Sequence, residues 1–381
     1  MRTVYFDSAA TTQLRSEVIT TMTQVLQTEF GNPSSTHANG RSAKALIETA
    51  RKETASLLNV SASEIIFTSG GTEADNLVLN SCVKDLNVTR IISSKIEHHA
   101  VLYAINQLQA SHGITVDFVS VDDCGLIDYI HLENLLADTT HKTLVSLMHI
   151  NNEIGTILDL KRTALLCKKY DTLFHSDTVQ SVGHYELDFI DIPIDFAAIA
   201  AHKFHGPKGV GFAFIRKNSG LRPMIHGGEQ ERGMRAGTEP VYAIVGMVEA
   251  LKISYQNLAK EKKHITGLKD YFKERLLIEI PEILFNGSCN DNDKSTYTLL
   301  NVCLPVSPEK GMMLLFQLDL KGIACSKGSA CQSGSNMGSH VLSEILTDEN
   351  LTKPSIRFSF SIFNTKDEID YVITTLKAFC C

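Results

Sequence analysis

Between residues 64 and 215, short apolar runs alternate with helical patterns, and this alternation constrains the fold more than any other feature. The runs fall at 64–68, 90–93, 115–119, 143–150, 172–176, 196–200 and 211–215. Such runs suit strands buried on both faces. Helical patterns at 72–84, 100–109, 131–137 and 160–170 separate most of them. Strands alternating with helices build crossover units, so we expect an α/β fold with a mostly parallel seven-stranded sheet. Ligands in such sheets collect beyond the carboxyl ends of the strands. The polar clusters fall there: 69–76, Glu97-His98-His99, Asn151-Asn152-Glu153, 177–180 and His202-Lys203.

Two further helical patterns, 15–29 and 41–59, precede the alternation and are joined by the polar loop Phe30-Gly31-Asn32-Pro33-Ser34-Ser35. The character changes near residue 257, where a charged helix at 258–277 leads into mixed strands and helices. The expected organisation is a large domain at 16–257 and a smaller α+β domain made of 1–15 and 258–381. One biased segment, 328–339, is rich in Gly and Ser.

The net charge of -7 favours neither nucleic acid nor an anionic membrane as partner. The opening MRTVYFDSAATT lacks the apolar core of a signal peptide, and no apolar run approaches the ~20 residues that span a bilayer. Both absences suggest a cytoplasmic protein. The nine cysteines show no framework spacing and read mainly as reduced thiols, with Cys380-Cys381 in a terminal tail. His202 and His205 could suggest a metal, but Gly206 and Pro207 break any helix that would carry both.

Lys203 stands at the mouth of the buried run 196–201. An amine there is solvated, paired or covalently used, and burial lowers its pKa toward Schiff-base chemistry. Asp177, at the end of another apolar run, needs a cationic partner. A protonated pyridine nitrogen is one, and the pairing makes the ring an electron sink. Ser69-Gly70-Gly71-Thr72-Glu73 opens a helix after a strand, which suits a phosphate but also an ordinary capped helix start. Asn152 and Gln180 can hydrogen-bond a phenolic oxygen, and the imidazole of His98 can cover a ring face or simply satisfy a loop. Together these groups specify pyridoxal 5'-phosphate.

FGNPSSTH (30–37), FTSGGTEADN (67–76), SKIEHHAV (94–101), MHINNEIGT (148–156), HSDTVQSVG (175–183), AHKFHGPKG (201–209), HGGEQERGMRAGT (226–238), SKGSACQSGS (326–335) and SIRFS (355–359) follow one another in an order that resembles the cysteine desulfurases. These belong to the class V aminotransferase branch of fold-type I pyridoxal-phosphate enzymes. The resemblance implies that Lys203 carries the cofactor as a Schiff base and moves the α-proton, that Asp177 pairs with the pyridine nitrogen, and that His98 stacks on the ring. It implies that Asn152 and Gln180 bind the phenolic oxygen, that Gly71, Thr72 and His202 hold the phosphate, and that Thr238 reaches it from the second subunit of a homodimer. Arg357, with Asn32 and Asn152, would bind the carboxylate of L-cysteine. Cys331 would take the sulfur as a persulfide, leaving L-alanine, and pass it to an acceptor protein for iron–sulfur assembly or thiolation. Cys325 reads as structural.

Some positions depart from the pattern. Ala200 stands where relatives place a phosphate-binding serine, Lys327 where they place a serine, and Glu229 where many place glycine. The chain ends soon after Lys377, whereas longer relatives carry an extension that docks the scaffold protein. Competing readings are a selenocysteine lyase or other β-lyase on the same cofactor, and a non-catalytic sulfur-carrier or scaffold subunit.

Overall fold

The computed structural model describes residues 2–327 and 338–380. The chain opens with β1 (Val4–Tyr5), α1 (Ser16–Thr28) and α2 (Ala38–Leu57), then enters the alternating region. There β2 (Ile65–Thr68), α3 (Gly71–Leu86), β3 (Arg90–Ser93), α4 (His99–His112) and β4 (Thr115–Phe118) follow in turn. Next come α5 (Tyr129–Leu136), β5 (Thr143–Ser146), α6 (Leu160–Lys169), β6 (Leu173–Asp177), β7 (Phe196–Ala200) and β8 (Gly211–Ile215). The large sheet has seven strands in the order β2-β8-β7-β6-β5-β3-β4. Only β8 runs against its neighbours β2 and β7. The α/β class and mostly parallel sheet expected from the alternation are therefore present.

Period-two alternation sends neighbouring residues of each strand to opposite faces. Ile65, Phe67, Val145, Phe174, Ala197, Ile199, Phe212 and Phe214 form one core with α1, α2, α6 and the next helix, α7 (Val241–Gln256). Ile66, Ile91, Leu144, Phe196, Ala198 and Ala213 form a second with α3 and α4. Side chains close several helix starts: Asp159 Oδ1 accepts from Arg162 N–H (2.9 Å), and Asp128 Oδ1 from Ile130 N–H (2.8 Å).

Two differences from the sequence reading have local causes. The helix α7 shows only a weak stripe, because Val245 and Ile253 share the outward face with Glu249, Lys252 and Gln256 while Val241, Ala243, Ile244, Met247, Val248, Ala250 and Leu251 are buried; so mixed a face gives little periodic signal. The run at 143–150 is regular strand only to Ser146; Leu147 and His149 still donate to His175 and Asp177 of β6, and residues 150–157 then fold back through an Ile150–Ile157 bridge. That turn presents Asn151, Asn152 and Glu153.

The remaining elements are α8 (Leu258–Glu279), β9 (Leu284–Asn286), β10 (Leu299–Cys303), α9 (Pro308–Met312), α10 (Leu314–Leu320), β11 (Ile323–Ala324), α11 (His340–Ile345), α12 (Asp348–Thr352), β12 (Ser355–Ser359) and α13 (Lys366–Cys380). A three-stranded antiparallel sheet, β12-β10-β9, packs with α8 and α13 around its own core. Val4 and Phe6 belong to that core, and β1 pairs in parallel with β11. Among the described residues no helix is long and apolar enough to cross a membrane.

Candidate active site

A cavity of 220 Å³ opens at the carboxyl ends of β6 and β7. Gly71, Thr72, His98, Asn152, Asp177, Gln180, His202, Lys203 and Arg357 all line it. A larger cavity of 560 Å³ adjoins it at Met148 but carries neither Lys203 nor Asp177. The smaller cavity is the one with the chemistry.

Asp177 is the last residue of β6 and is 5% exposed. Its Oδ1 accepts the Val179 N–H at 2.9 Å. Burial, with the second carboxyl of Asp75 nearby, pushes its carboxyl up to about 7, against the pull of Val179 N–H, His175 and Lys203. An acid so placed ionises readily only when a cation arrives.

Lys203 follows β7 through the single turn Ala201–Lys203. Its Nζ donates to the carbonyls of Ala9 (2.6 Å) and Ala10 (2.8 Å), and Gln180 Nε2 donates to Ala9 O at 3.0 Å. The N-terminal segment thus closes one side of the cavity. Beside it, His202 has a buried Nδ1 with no hydrogen-bond partner, and burial with Lys203 and Lys208 pushes the ring down to about 4.

The start of α3 forms an anion cradle. Gly70 takes φ +153°, which favours glycine, and no side chain caps the helix. A Cβ on Gly71 would come within 2.6 Å of Val179 Cγ2, so any larger residue there must displace the Val179 side chain. The first-turn N–H groups and the positive end of the helix dipole face the cavity side that Thr72 lines.

His98 caps α4, its Nδ1 accepting the Ala100 N–H at 3.1 Å. Burial and Lys203 push it down to about 4, so the ring is neutral and Nε2 carries the proton. On the opposite side Arg357, 1% exposed on β12, donates through Nη1 to Asn152 O (2.7 Å) and through Nη2 to Asp7 Oδ1 (2.9 Å). Its Nε is buried without a partner.

The family model for aminotransferase class-V matches residues 4–372. The chain belongs to that family. A class-V relative named cysteine desulfurase IscS, from Dictyoglomus turgidum (strain DSM 6724 / Z-1310), is 40% identical over 378 residues, covering 99% of this chain and 94% of its own length. The solved structure of a NifS-like protein superposes with a TM-score of 0.90 at 35% identity, covering 99% of both chains. A structure of SspA in complex with cysteine gives a TM-score of 0.82 at 31% identity, over 95% of this chain and all of the other. Class-V cysteine desulfurases depend on pyridoxal phosphate, and the chain groups with them.

Two described residues expected in this class-V site lie outside its cavity. Asn32 and Thr238 are exposed and do not line the cavity. Their loops touch each other, Gln230 Nε2 donating to Ser34 Oγ at 3.3 Å. Cys331 lies outside the described residues. The residues that flank its segment are placed: Ser326 pairs with Arg357 through backbone bonds of 2.7 and 3.3 Å, and Ser339 Oγ donates to Glu153 Oε2 at 2.5 Å. Cys325 is pushed up to about 12 by burial and Asp7, which makes it an inert thiol.

Sequence reasoning missed Ala9, Ala10, Asp7 and Asp75. The first two act through backbone carbonyls, which no side-chain motif reveals. Asp75 had a signal: three residues after Thr72 on a helix, it shares the inward face.

Proposed function

We propose that this site converts L-cysteine to L-alanine and moves the sulfur, as a persulfide on Cys331, to an acceptor protein. The reading is carried by one observation. An amine (Lys203), a buried acid in need of a cation (Asp177), a planar neutral ring (His98) and an uncapped helix start (Gly71-Thr72) share one cavity.

These residues fit pyridoxal phosphate. Asp177 would hold the ring nitrogen, His98 would cover a ring face, and Asn152 and Gln180 would meet the phenolic oxygen. The α3 start and His202, whose buried Nδ1 lacks a partner, would hold the phosphate. When bound, the cofactor supplies an electron sink for the carbanion at the substrate Cα. The chain's own residues do the rest. Lys203 Nζ takes the α-proton. Arg357 holds the substrate carboxylate with a charge-assisted bond, worth about 1.5–3 kcal/mol. The Cys331 thiolate forms a bond to the substrate sulfur as the Cβ–S bond breaks, and the electron pair passes to carbon, which takes up a proton. Cysteine and enzyme thiol thus become alanine and enzyme persulfide, with no external oxidant.

The exposed Thr238 and Asn32 loops support a homodimer in which Thr238 completes the phosphate site of the other copy. Purified protein given cysteine and a reductant should yield equal alanine and sulfide, with a trappable persulfide on Cys331. Alanine formation at the parent rate by Cys331→Ala would sink this mechanism.

A further inference from the structure

One acid of the cavity has no role so far. Asp75, on the inward face of α3, lines the cavity and is 1% exposed. Its Oδ1 has no hydrogen-bond partner, and it faces His175 Nε2, also buried and without a partner, at 3.4 Å. The other nitrogen of that ring, Nδ1, lies 2.9 Å from Ser146 Oγ. His175 and Ser146 are register partners in β6 and β5, and both are fully buried. Two orphaned buried atoms at this distance are satisfied when a proton lies between them.

The proton has two possible homes. It sits on Asp75 as a neutral acid, or on His175 as an imidazolium beside a carboxylate. The surroundings favour the acid. Asp177, two residues after His175 on the same face of β6, also lines the cavity and accepts a backbone N–H, whereas Asp75 Oδ1 has no donor. Two carboxylate charges in one dry cavity repel, so the better-solvated one ionises. Burial pushes Asp75 up to about 8 and His175 down to about 4. The other titratable groups acting here are Lys203 and Glu97, and burial with the two aspartates raises Glu97 well above the usual carboxyl range.

We propose that Asp75 is a positioning residue: it keeps its proton, donates it to His175 Nε2, and leaves Asp177 as the single negative charge facing a cationic ring nitrogen. His175 then donates through Nδ1 to Ser146 Oγ. The inference rests on the pyridoxal-phosphate reading of the site, since the protonated Asp75 acts by keeping Asp177 free to pair.

Two measurements test it. Infrared spectra of the protein with pyridoxal phosphate bound, at neutral pH and in a Glu97→Gln background, should show a protonated-carboxyl band that Asp75→Asn removes. An unchanged band, or none to begin with, overturns the proposal. Cofactor affinity is the second readout. Asp75→Asn keeps a donor for His175 and should bind pyridoxal phosphate within about threefold of the parent, while Asp75→Leu, which leaves a buried acceptor unmade, should lose about tenfold or more. Equal losses in both variants overturn it. Should Asp75→Leu fail to fold, the infrared result decides. A parent protein that takes up no pyridoxal phosphate refutes the cofactor reading instead, and the band, measured then on the protein as purified, still locates the proton.

Discussion

Arg357→Lys separates the charge of the carboxylate site from its geometry. The guanidinium spends Nη1 on Asn152 O and Nη2 on Asp7 Oδ1, at 2.7 and 2.9 Å, and keeps a buried Nε with no partner. A lysine ammonium offers its donors from one atom, so it can pair with Asp7 but cannot also span to Asn152 and a ligand. The charge stays, which avoids stranding the partly buried Asp7 carboxylate, 18% exposed. What is lost is one charge-assisted bond to substrate, about 1.5–3 kcal/mol, or roughly 10- to 150-fold. We expect kcat/KM for alanine formation from cysteine to fall by that factor, with the cofactor absorption band unchanged. Initial rates against cysteine concentration measure it. A kcat/KM within about threefold of the parent would refute Arg357 as the carboxylate anchor.

Other outcomes follow from the same geometry. Lys203→Ala should abolish the cofactor's visible band and borohydride trapping, while Cys331→Ala keeps the band and forms no persulfide. Glu231→Ala should cost about 3–5 kcal/mol in denaturant unfolding of the cofactor-free protein. It takes from the buried Arg51 its bonds of 2.6 and 2.8 Å, leaving only Glu48 and the Ile65 carbonyl to hold it, and orphans the Phe67 N–H that Glu231 accepts at 2.8 Å. A loss below about 1 kcal/mol would show that the pair is not buried as described. The cofactor-free protein should also lose stability as pH rises from about 6.5 to about 8. Asp75 and Asp177, raised from 3.8 to about 8 and about 7, hold protons there that the unfolded chain has already released. The native state binds more protons in that window, so the slope is negative, and Asp75→Asn should flatten it in urea titrations at stepped pH.

The sequence carried the α/β framework because its signals were local. Apolar runs such as Phe196–Ala200 marked strands buried on both faces, and the helix after Gly70-Gly71 followed one of them directly. Asp177 and Lys203 were legible for the same reason, since each follows a run whose burial makes a charge conspicuous. What escaped was either featureless or distant. The helix Val241–Gln256 mixes Val245 and Ile253 into the face that carries Glu249, Lys252 and Gln256, and so has little stripe to read. The neighbours of Lys203 are the carbonyls of Ala9 and Ala10, more than 190 residues away in sequence. Asp75 is a single acid on a helix, and only the fold shows that His175, in the strand β6 beneath it, has a nitrogen without a partner 3.4 Å away.

The first ten residues bind the two halves of the site into one object. Ala9 and Ala10 hold Lys203 and Gln180 by their carbonyls, while Asp7 holds Arg357 and Ser326 by its carboxylate. Val4 and Tyr5 meanwhile pair with Ile323 and Ala324, the strand just before the segment that carries Cys331. Lys203, Arg357 and the strand Ile323–Ala324 therefore come from three distant stretches of chain yet touch one short strand and the turn that follows it. A shift of that segment moves the cofactor lysine and the carboxylate anchor together. Misplacing reacting groups by about 1 Å can cost on the order of 100-fold in rate. The N-terminal run, held in the core by Val4 and Phe6 and carrying no catalytic side chain of its own, is thus what fixes the distance between the amine that takes the proton and the guanidinium that holds the substrate.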